Sequence, residues 1–126
     1  MCNLSEWVVR SAYLAYERDD MAGMLDLVAP DLEWTYYTSG DTAPLSCHGR
    51  DAIETALQRW PAGWSKPELE EVVASGDEVM VVLRARNGSP ATVRRIFTVA
   101  TVQDGRIVAL RACRDRDEAR VHAGLG

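Results

Sequence analysis

Aromatic and basic side chains recur at alternate positions on two predicted strands of this chain. Trp34 and Tyr36 alternate on the first strand, and Arg84 and Arg86 alternate on the second. Residues two apart on a strand project from the same face, so each pair is presented to one side. Aromatic rings offer apolar surface, and a guanidinium pairs with planar anions in a fork geometry. The pattern predicts a pocket for a flat anionic molecule, or else arginines that close one end of the sheet in ion pairs with Asp or Glu on the helices.

The candidates for a direct part in a reaction are Tyr36, Arg84 and His48. A histidine has suitable proton-transfer chemistry, but at this position it would equally fix the loop before a helix. A tyrosine hydroxyl titrates near ~10, so Tyr36 cannot remove a proton from carbon at neutral pH. On the first predicted helix, Tyr13 and Tyr16 either pack against the sheet or place a hydroxyl in the pocket. The three cysteines form no Cys-x-x-Cys pair, and we therefore predict no metal site and no cofactor.

Composition limits the class of protein. A length of 126 residues with 47% hydrophobic residues predicts one domain, over residues 1–126, with its own core. The net charge of -5 argues against general nucleic-acid binding, which needs a cationic surface. No apolar run approaches the roughly 18 residues that span a bilayer, and the first residues lack the pattern of a secretion signal. With scattered cysteines, these features predict a cytoplasmic protein that does not bind membranes.

Hydrophobic spacing predicts helices in the first half of the chain and strands in the second. Helices are expected over residues 5–18 and 20–28 and after Gly49, with a loop over 38–46. About five strands are expected, over 32–37, 68–75, 78–86, 91–103 and 106–115. Asp104-Gly105 is a strong hairpin signal. This order predicts an α+β protein with an antiparallel sheet, and a tail over 116–126 that is either helical or disordered.

The late strands are apolar on both faces, so both faces of the sheet must be covered. On the strand 78–86, Met80 and Val82 lie opposite a second apolar set of alternating residues. Helices cover one face well, and a second subunit is the economical cover for the other. We therefore predict a homodimer packed through Val81, Leu83, Phe97, Val99 and Cys113.

The order of elements resembles the SnoaL-like branch of the nuclear transport factor 2-like superfamily over nearly the whole chain. The most telling segments are H-G-R-D-A-I at residues 48–53 and D-G-R-I-V-A-L-R at 104–111. The resemblance implies a cystatin-like cone, in which a curved antiparallel sheet wraps around helices and encloses a cavity. In that register, the residues expected to line the cavity are Trp34, Tyr36, Met80, Val82, Arg84, Arg86, Ile96, Thr98, Leu110 and Ala112.

The catalytic residues of two well-known branches of the superfamily do not carry over. Ketosteroid isomerases have a general-base Asp where this chain has Tyr36, and an oxyanion-binding Tyr where it has Ala12. Limonene epoxide hydrolases have carboxylates where it has Arg86 and Ala112, although their arginine matches Arg84. The resemblance therefore implies neither activity.

Two functions remain open from the sequence. The first is an isomerase, cyclase or hydrolase that acts on a small cyclic or polyketide-like substrate and stabilises an anion through Arg and Tyr. The second is a non-catalytic ligand-binding or dimerisation module of the same fold. A general acid or base in the cavity would discriminate them, and the sequence offers none that can be placed there. The expected partner is a small apolar or anionic organic molecule.

Overall fold

An open sheet lies at the centre of the fold, with helices against both of its faces. The computed structural model describes residues 4–36, 45–51, 53, 63–88 and 90–125. In chain order, the elements of this part are α1 (Leu4–Glu17), α2 (Met21–Asp26), β1 (Val28–Tyr36), β2 (Leu45–His48), β3 (Glu68–Ser75), β4 (Glu78–Asn87), β5 (Thr92–Gln103), β6 (Arg106–Cys113) and α3 (Arg116–His122).

The described sheet has six strands in the order β2-β1-β6-β5-β4-β3. Strands β1 and β6 are parallel, and the other neighbours are antiparallel. Because β2 and β3 form its two edges, the sheet is curled but not closed. Helices followed by this mainly antiparallel sheet confirm the predicted α+β class and the cone-like architecture.

Local chemistry explains one turn and one helix start. Asp104 and Gly105 have φ angles of 53° and 77°, as the two central residues of a type I′ turn require, and they join β5 to β6. The carboxylate of Asp20 caps α2 by accepting a hydrogen bond from the N–H of Gly23 at 3.0 Å. Both features follow the turn and capping signals of the sequence.

The first strand departs from its predicted form. Strand β1 begins at Val28 and continues through Pro30, where the sequence predicted a corner. Since proline has no N–H to donate, the ladder between β1 and β6 is irregular between Val28 and Glu33. Strand β2, which pairs with β1, lies where the sequence predicted the end of a loop and the residues that lead into a helix. The rest of that loop and most of that helix lie outside the described residues.

The segment after β2 is fastened to β1. The N–H of Gly49, at a φ of 85°, donates to the carbonyl of Leu32 at 2.7 Å. The guanidinium of Arg50 donates to the carbonyl of Val28 from Nε at 3.3 Å and from Nη2 at 3.0 Å. These bonds bring Ile53, which is fully buried, into the core. The H-G-R sequence thus positions the chain through its glycine and arginine.

The two faces of the sheet have different covers. We call the face against α1 the inner face and the face against α3 the outer face. The core of the inner face includes Val8, Val9, Val79, Val81 and Leu83. The core of the outer face consists of Met80, Val82, Val99, Cys113, Ala119 and Ala123.

This arrangement corrects the face that the sequence analysis assigned to β4. Met80 and Val82 were expected in the cavity, but they belong to the outer face. Both faces of β4 are apolar, so its alternation alone could not choose between them. The pairing with β5 decides, because Val81 lies opposite Thr98 and directly paired residues share a face.

The surface predicted for a homodimer is corrected for the same reason. Val81 and Leu83 belong to the inner core, whereas Val99 and Cys113 are buried on the outer face with Ala119 of α3. The second apolar face therefore has a cover within the chain itself. The homodimer stays a prediction, but it needs another surface.

Candidate ligand-binding cavity

A cavity of about 130 Å³ lies between α1 and the inner face of the sheet. The described residues that line it are mainly aliphatic and aromatic, and none of them carries a charge. They are Ala12, Tyr13, Tyr16, Met24, Val28, Trp34, Ile53, Pro67, Leu83, Ile96, Thr98, Ile107 and Leu110. An engineered apolar cavity of about 150 Å³ binds benzene, so these walls suit a molecule whose enclosed part is about one ring.

Two hydroxyl groups give this apolar cavity specific polar points. Tyr13 and Thr98 both line it, and neither side chain hydrogen-bonds to a described residue. Among the described residues, no fully buried side-chain oxygen lacks a hydrogen-bond partner. Both hydroxyls therefore have accessible surface, and both side chains border the cavity. A few polar groups on apolar walls are typical of sites that orient a small ligand.

The environment of Tyr13 keeps its hydroxyl protonated. Burial raises the pKa of Tyr13 far above its ordinary value of 10.0. A phenol with such a raised pKa stays protonated at neutral pH, so it acts as a hydrogen-bond donor and not as a base. Tyr13 can thus donate to a carbonyl, enol or enolate oxygen of a ligand.

A second tyrosine lies closer to charge. Burial raises the pKa of Tyr16, while the ammonium group of Lys66 opposes that rise. Lys66 Nζ lies 4.4 Å from the centre of the Tyr16 ring and forms an ion pair with the exposed carboxylate of Asp19. Because Pro67 follows Lys66 and lines the cavity, this ion pair lies beside the cavity wall.

The structure brings some of the predicted pocket residues together. Trp34, Ile96, Thr98 and Leu110 line the cavity. Ala112 pairs with Thr98 and shares its face, but it is not among the described lining residues. These residues come from β1, β5 and β6, where the face predicted from the sequence is the face that the structure presents to the cavity.

The two arginines predicted at the pocket do not line it. On β4 they alternate with inner-face residues, so they project from the outer face together with Met80 and Val82. Arg84 Nη2 lies 3.6 Å from the carboxylate of Glu68, and Arg86 is exposed. The alternative of ion pairs with carboxylates on the helices holds only in part, because Arg84 pairs with a glutamate of strand β3 and Arg86 forms no ion pair with a described residue. This placement removes the residues from which an anionic ligand was predicted.

The other two catalytic candidates lie at the ends of strands. Tyr36 ends β1, and its side chain lies outside the described part. His48 ends β2 opposite Glu33, and its side chain is exposed. Glu33 borders a groove on the outer face, so His48 projects from the side of the sheet away from the cavity.

Helix α1 contributes to the cavity wall, a role that the sequence left open for Tyr13 and Tyr16 beside simple helix–sheet packing. Ala12, Tyr13 and Tyr16 form one side of α1, and the spacing of such residues predicts helix–sheet packing equally well. The signal that could have singled out Tyr13 is a phenol among the apolar residues of a buried helix face, since its hydroxyl needs a partner or open space.

A second depression, of about 300 Å³, lies on the outer face beside α3. We call it the outer groove. Its polar borders include Glu33, Thr35, Glu78, Arg111 and His122. Arg111 Nη1 lies 3.4 Å from His122 Nδ1 on one side of the groove. On another side, the hydroxyl of Thr101 donates to Glu78 at 2.8 Å.

The described residues contain neither a metal-binding cluster nor a membrane-spanning helix. No group of three or more His, Cys, Asp or Glu side chains is arranged to bind a metal ion there. None of the helices in the same part has the length and apolar character needed to cross a membrane.

Comparison with known proteins places this fold. The family model of the SnoaL-like domain matches residues 9–110. A nuclear transport factor 2-like protein from Burkholderia thailandensis is similar over 98% of each chain, with 24% identity and a TM-score of 0.72. A candidate polyketide cyclase from Xanthomonas campestris is similar over 89% of this chain and 90% of its own, with 20% identity and a TM-score of 0.67.

A third solved structure contains an organic ligand. TerC, co-crystallised with polyporic acid, is similar over 98% of this chain and 100% of its own, with 19% identity and a TM-score of 0.69. At these identities the solved structures establish the fold alone. No curated protein sequence matches the chain. The match of the family model covers most of the chain, which therefore belongs to the SnoaL-like domain family.

Proposed function

We propose that this protein binds a small cyclic organic molecule and donates a hydrogen bond from Tyr13 to a carbonyl or enol oxygen of that molecule. The observation that carries the proposal is the free hydroxyl of Tyr13 in a ring-sized apolar cavity. Apolar walls favour the body of such a ligand, and a single donor fixes its orientation. TerC, a protein of the same fold, has been crystallised with polyporic acid, which supports an organic ligand.

The catalytic form of the proposal is an isomerase, cyclase or hydrolase that acts on a polyketide-like substrate. Such reactions develop negative charge on a carbonyl oxygen, and a donor fixed in a dry site stabilises that charge. Tyr13 meets this requirement, since burial keeps it protonated. The candidate polyketide cyclase from Xanthomonas campestris supports the substrate class by analogy of fold.

A specific observation favours the non-catalytic alternative. None of the described lining residues is Asp, Glu, His, Lys or Cys, so none of them is suited to remove a proton. A cavity with a donor and no base binds a carbonyl compound without turning it over. Both forms share the same binding step, and the test of that step comes first.

The binding test compares acetophenone with ethylbenzene, which have nearly the same shape and differ in one oxygen. Calorimetry on the intact protein should show that acetophenone binds more tightly. The substitution Tyr13→Phe should weaken the binding of acetophenone about five-fold, which is the equivalent of one neutral hydrogen bond. It should leave the affinity for ethylbenzene unchanged. Tyr16→Phe is the matched control, because it removes a hydroxyl from the same helix and should have a smaller effect.

If Tyr13→Phe lowered the affinity for both ligands equally, that result would contradict the donor role. If neither ligand bound the native protein, that result would contradict the proposed binding cavity. Deuterium exchange at the methyl group of acetophenone then separates the two forms. Exchange above buffer that Tyr13→Phe slows supports the enzyme. Binding without exchange supports the binding module.

Two further features of the proposal concern the whole protein. We propose that the homodimer predicted from the sequence forms across the outer groove, since the apolar residues first assigned to it are buried. The groove carries both carboxylates and an arginine, so two copies related by a twofold axis present complementary charges to each other. A cytoplasmic location stays a prediction.

A further inference from the structure

The arginines near the β4–β5 hairpin are not equally neutralised. Three of the arginines in this region each face a glutamate of β3. Arg95 pairs with Glu70 at 2.8 Å, Arg116 with Glu71 at 2.6 Å and Arg84 with Glu68 at 3.6 Å. The side chains of Arg86 and Arg94 make no hydrogen bond or ion pair with a described residue. Among these five arginines, Arg86 and Arg94 are therefore the two without a counter-charge from a described residue.

The two remaining cations lie on opposite faces of the sheet. Arg94, Ile96 and Thr98 alternate on β5, so all three project from the inner face. Ile96 and Thr98 line the cavity. Arg86 projects from the outer face, because it alternates on β4 with Ala85, which pairs with Arg94.

Exposure rises along the inner face of β5 from the cavity wall towards Arg94. Along the inner face of β5, exposure increases from Thr98, at 6%, through the partly buried Ile96 to the exposed Arg94. Two residues along a strand span about 6.7 Å, so the backbone of Arg94 lies about that far beyond the wall at Ile96. A guanidinium on a side chain of this length reaches the space beyond that end of the wall.

A cation beside another part of the cavity wall, Lys66, is already neutralised. The ammonium group of Lys66 lies over the ring of Tyr16 and pairs with Asp19. An anion that entered the cavity would have to displace this carboxylate to reach Lys66. Arg94 requires no such exchange, so it is the better partner for a ligand charge.

We propose that Arg94 forms an anion subsite at the opening of the cavity, so that the ligand carries a carboxylate or enolate outside its buried ring. The inference rests on the proposed function, because the ring must occupy the cavity for its charge to reach Arg94. It assigns to the inner face of β5 the role that the sequence analysis gave to two arginines of β4. A guanidinium suits this role because its fork matches a planar anion.

The test uses 4-phenylbutanoate and 4-phenylbutanamide, which share a ring and a chain and differ in charge. Calorimetry at low salt should show that the native protein prefers the carboxylate by roughly three-fold, as expected for a partly exposed ion pair. The substitution Arg94→Gln should abolish this preference and leave the amide unchanged. Arg86→Gln is the matched control, since it removes an unpaired arginine of the same hairpin from the opposite face and should preserve the preference.

Each outcome bears on a separate claim. The subsite would be overturned if Arg94→Gln kept the preference for the carboxylate, or if Arg86→Gln lost that preference to the same extent. Either result would leave the cavity proposal intact. Failure of the neutral amide to bind the native protein would overturn the cavity proposal and the subsite with it. High salt should reduce the preference for the carboxylate in the native protein, whereas Arg94→Gln should lack this preference at any salt concentration. That result supports the ion pair.

Discussion

Tyr13 connects the stability of the fold to its candidate function. The same burial that makes its hydroxyl a donor raises its pKa above the ordinary value of 10.0. In the unfolded chain, Tyr13 loses its proton near that ordinary value, whereas in the folded chain it does not. Above this pH the unfolded state binds fewer protons than the folded state, and alkali therefore favours unfolding.

The expected result is a free energy of unfolding that is fully maintained below pH 10.0 and decreases as the pH rises further. Tyr13→Phe should flatten that decrease, since phenylalanine has no proton to lose. Urea unfolding of both proteins across this pH range measures the difference. A decrease of the same slope in Tyr13→Phe would show that the hydroxyl titrates in the folded state as it does in the unfolded state.

At the level of single residues, the register implied by the family resemblance predicted part of the cavity. It placed Trp34 of β1 and Thr98 of β5 on the face that lines the cavity. Met80 and Val82 could not be assigned from alternation, because β4 is apolar on both faces and only its register with β5 selects the inner one. Tyr13 had two roles open from the sequence, since helical spacing alone does not distinguish a packed ring from one that borders a void.

At the level of elements, α3 determines how much of the outer face remains available. Its N-cap Asp115 accepts a hydrogen bond from the N–H of Glu118 at 2.8 Å, and Arg116 pairs with Glu71 of β3. Ala119 is fully buried in the outer core, where Cys113 is only 8% exposed. The last residues of the chain thus form a docked helix, which is one of the two alternatives that the sequence left open.

We expect that Ala119→Arg undocks α3 and exposes the thiol of Cys113. Burial, together with the nearby charge of Glu118, raises the pKa of this thiol to about 11, so in the native protein it is both covered and protonated. Undocking should speed its alkylation by iodoacetamide by on the order of tenfold, because a charged side chain cannot remain in that core without a partner. Peptide mass spectrometry identifies the labelled cysteine.

Val121→Arg is the matched control for this experiment. Val121 lies on the same helix but is 66% exposed, so an arginine there should leave the labelling of Cys113 unchanged. Circular dichroism should show that both variants keep the sheet. Equal labelling of Cys113 in both variants and in the native protein would mean that α3 does not protect the outer face.

Most elements were predictable because their signals are local. The hairpin at Asp104-Gly105 and the cap at Asp20 depend on residues only a few positions apart. Strand β2 carries no such signal, since four residues beside turn formers do not establish a period. It exists because β1 offers an edge with which it can pair, a long-range contact that pattern analysis does not detect.

At the level of the whole molecule, the open question is which surface a second copy would use. The outer groove lies beside α3 and has Glu33 and Arg111 on its borders. A twofold axis that passes between these two residues would bring Arg111 of one copy to Glu33 of the other and form the reverse contact at the same time. We therefore expect a homodimer whose association weakens as salt rises, since partly exposed ion pairs are screened.

A charge exchange tests this interface. Arg111→Glu should shift the protein towards the monomer mass of 14.0 kDa in light scattering at micromolar concentration, because like charges then face each other across the groove. Glu33→Arg alone should do the same, and the double variant should restore the dimer by reversing both partners. Restoration distinguishes an interface from a folding defect, since two damaging substitutions do not ordinarily repair each other. A native protein that scatters as a monomer, or a double variant no better than either single one, would exclude the groove as the dimer surface.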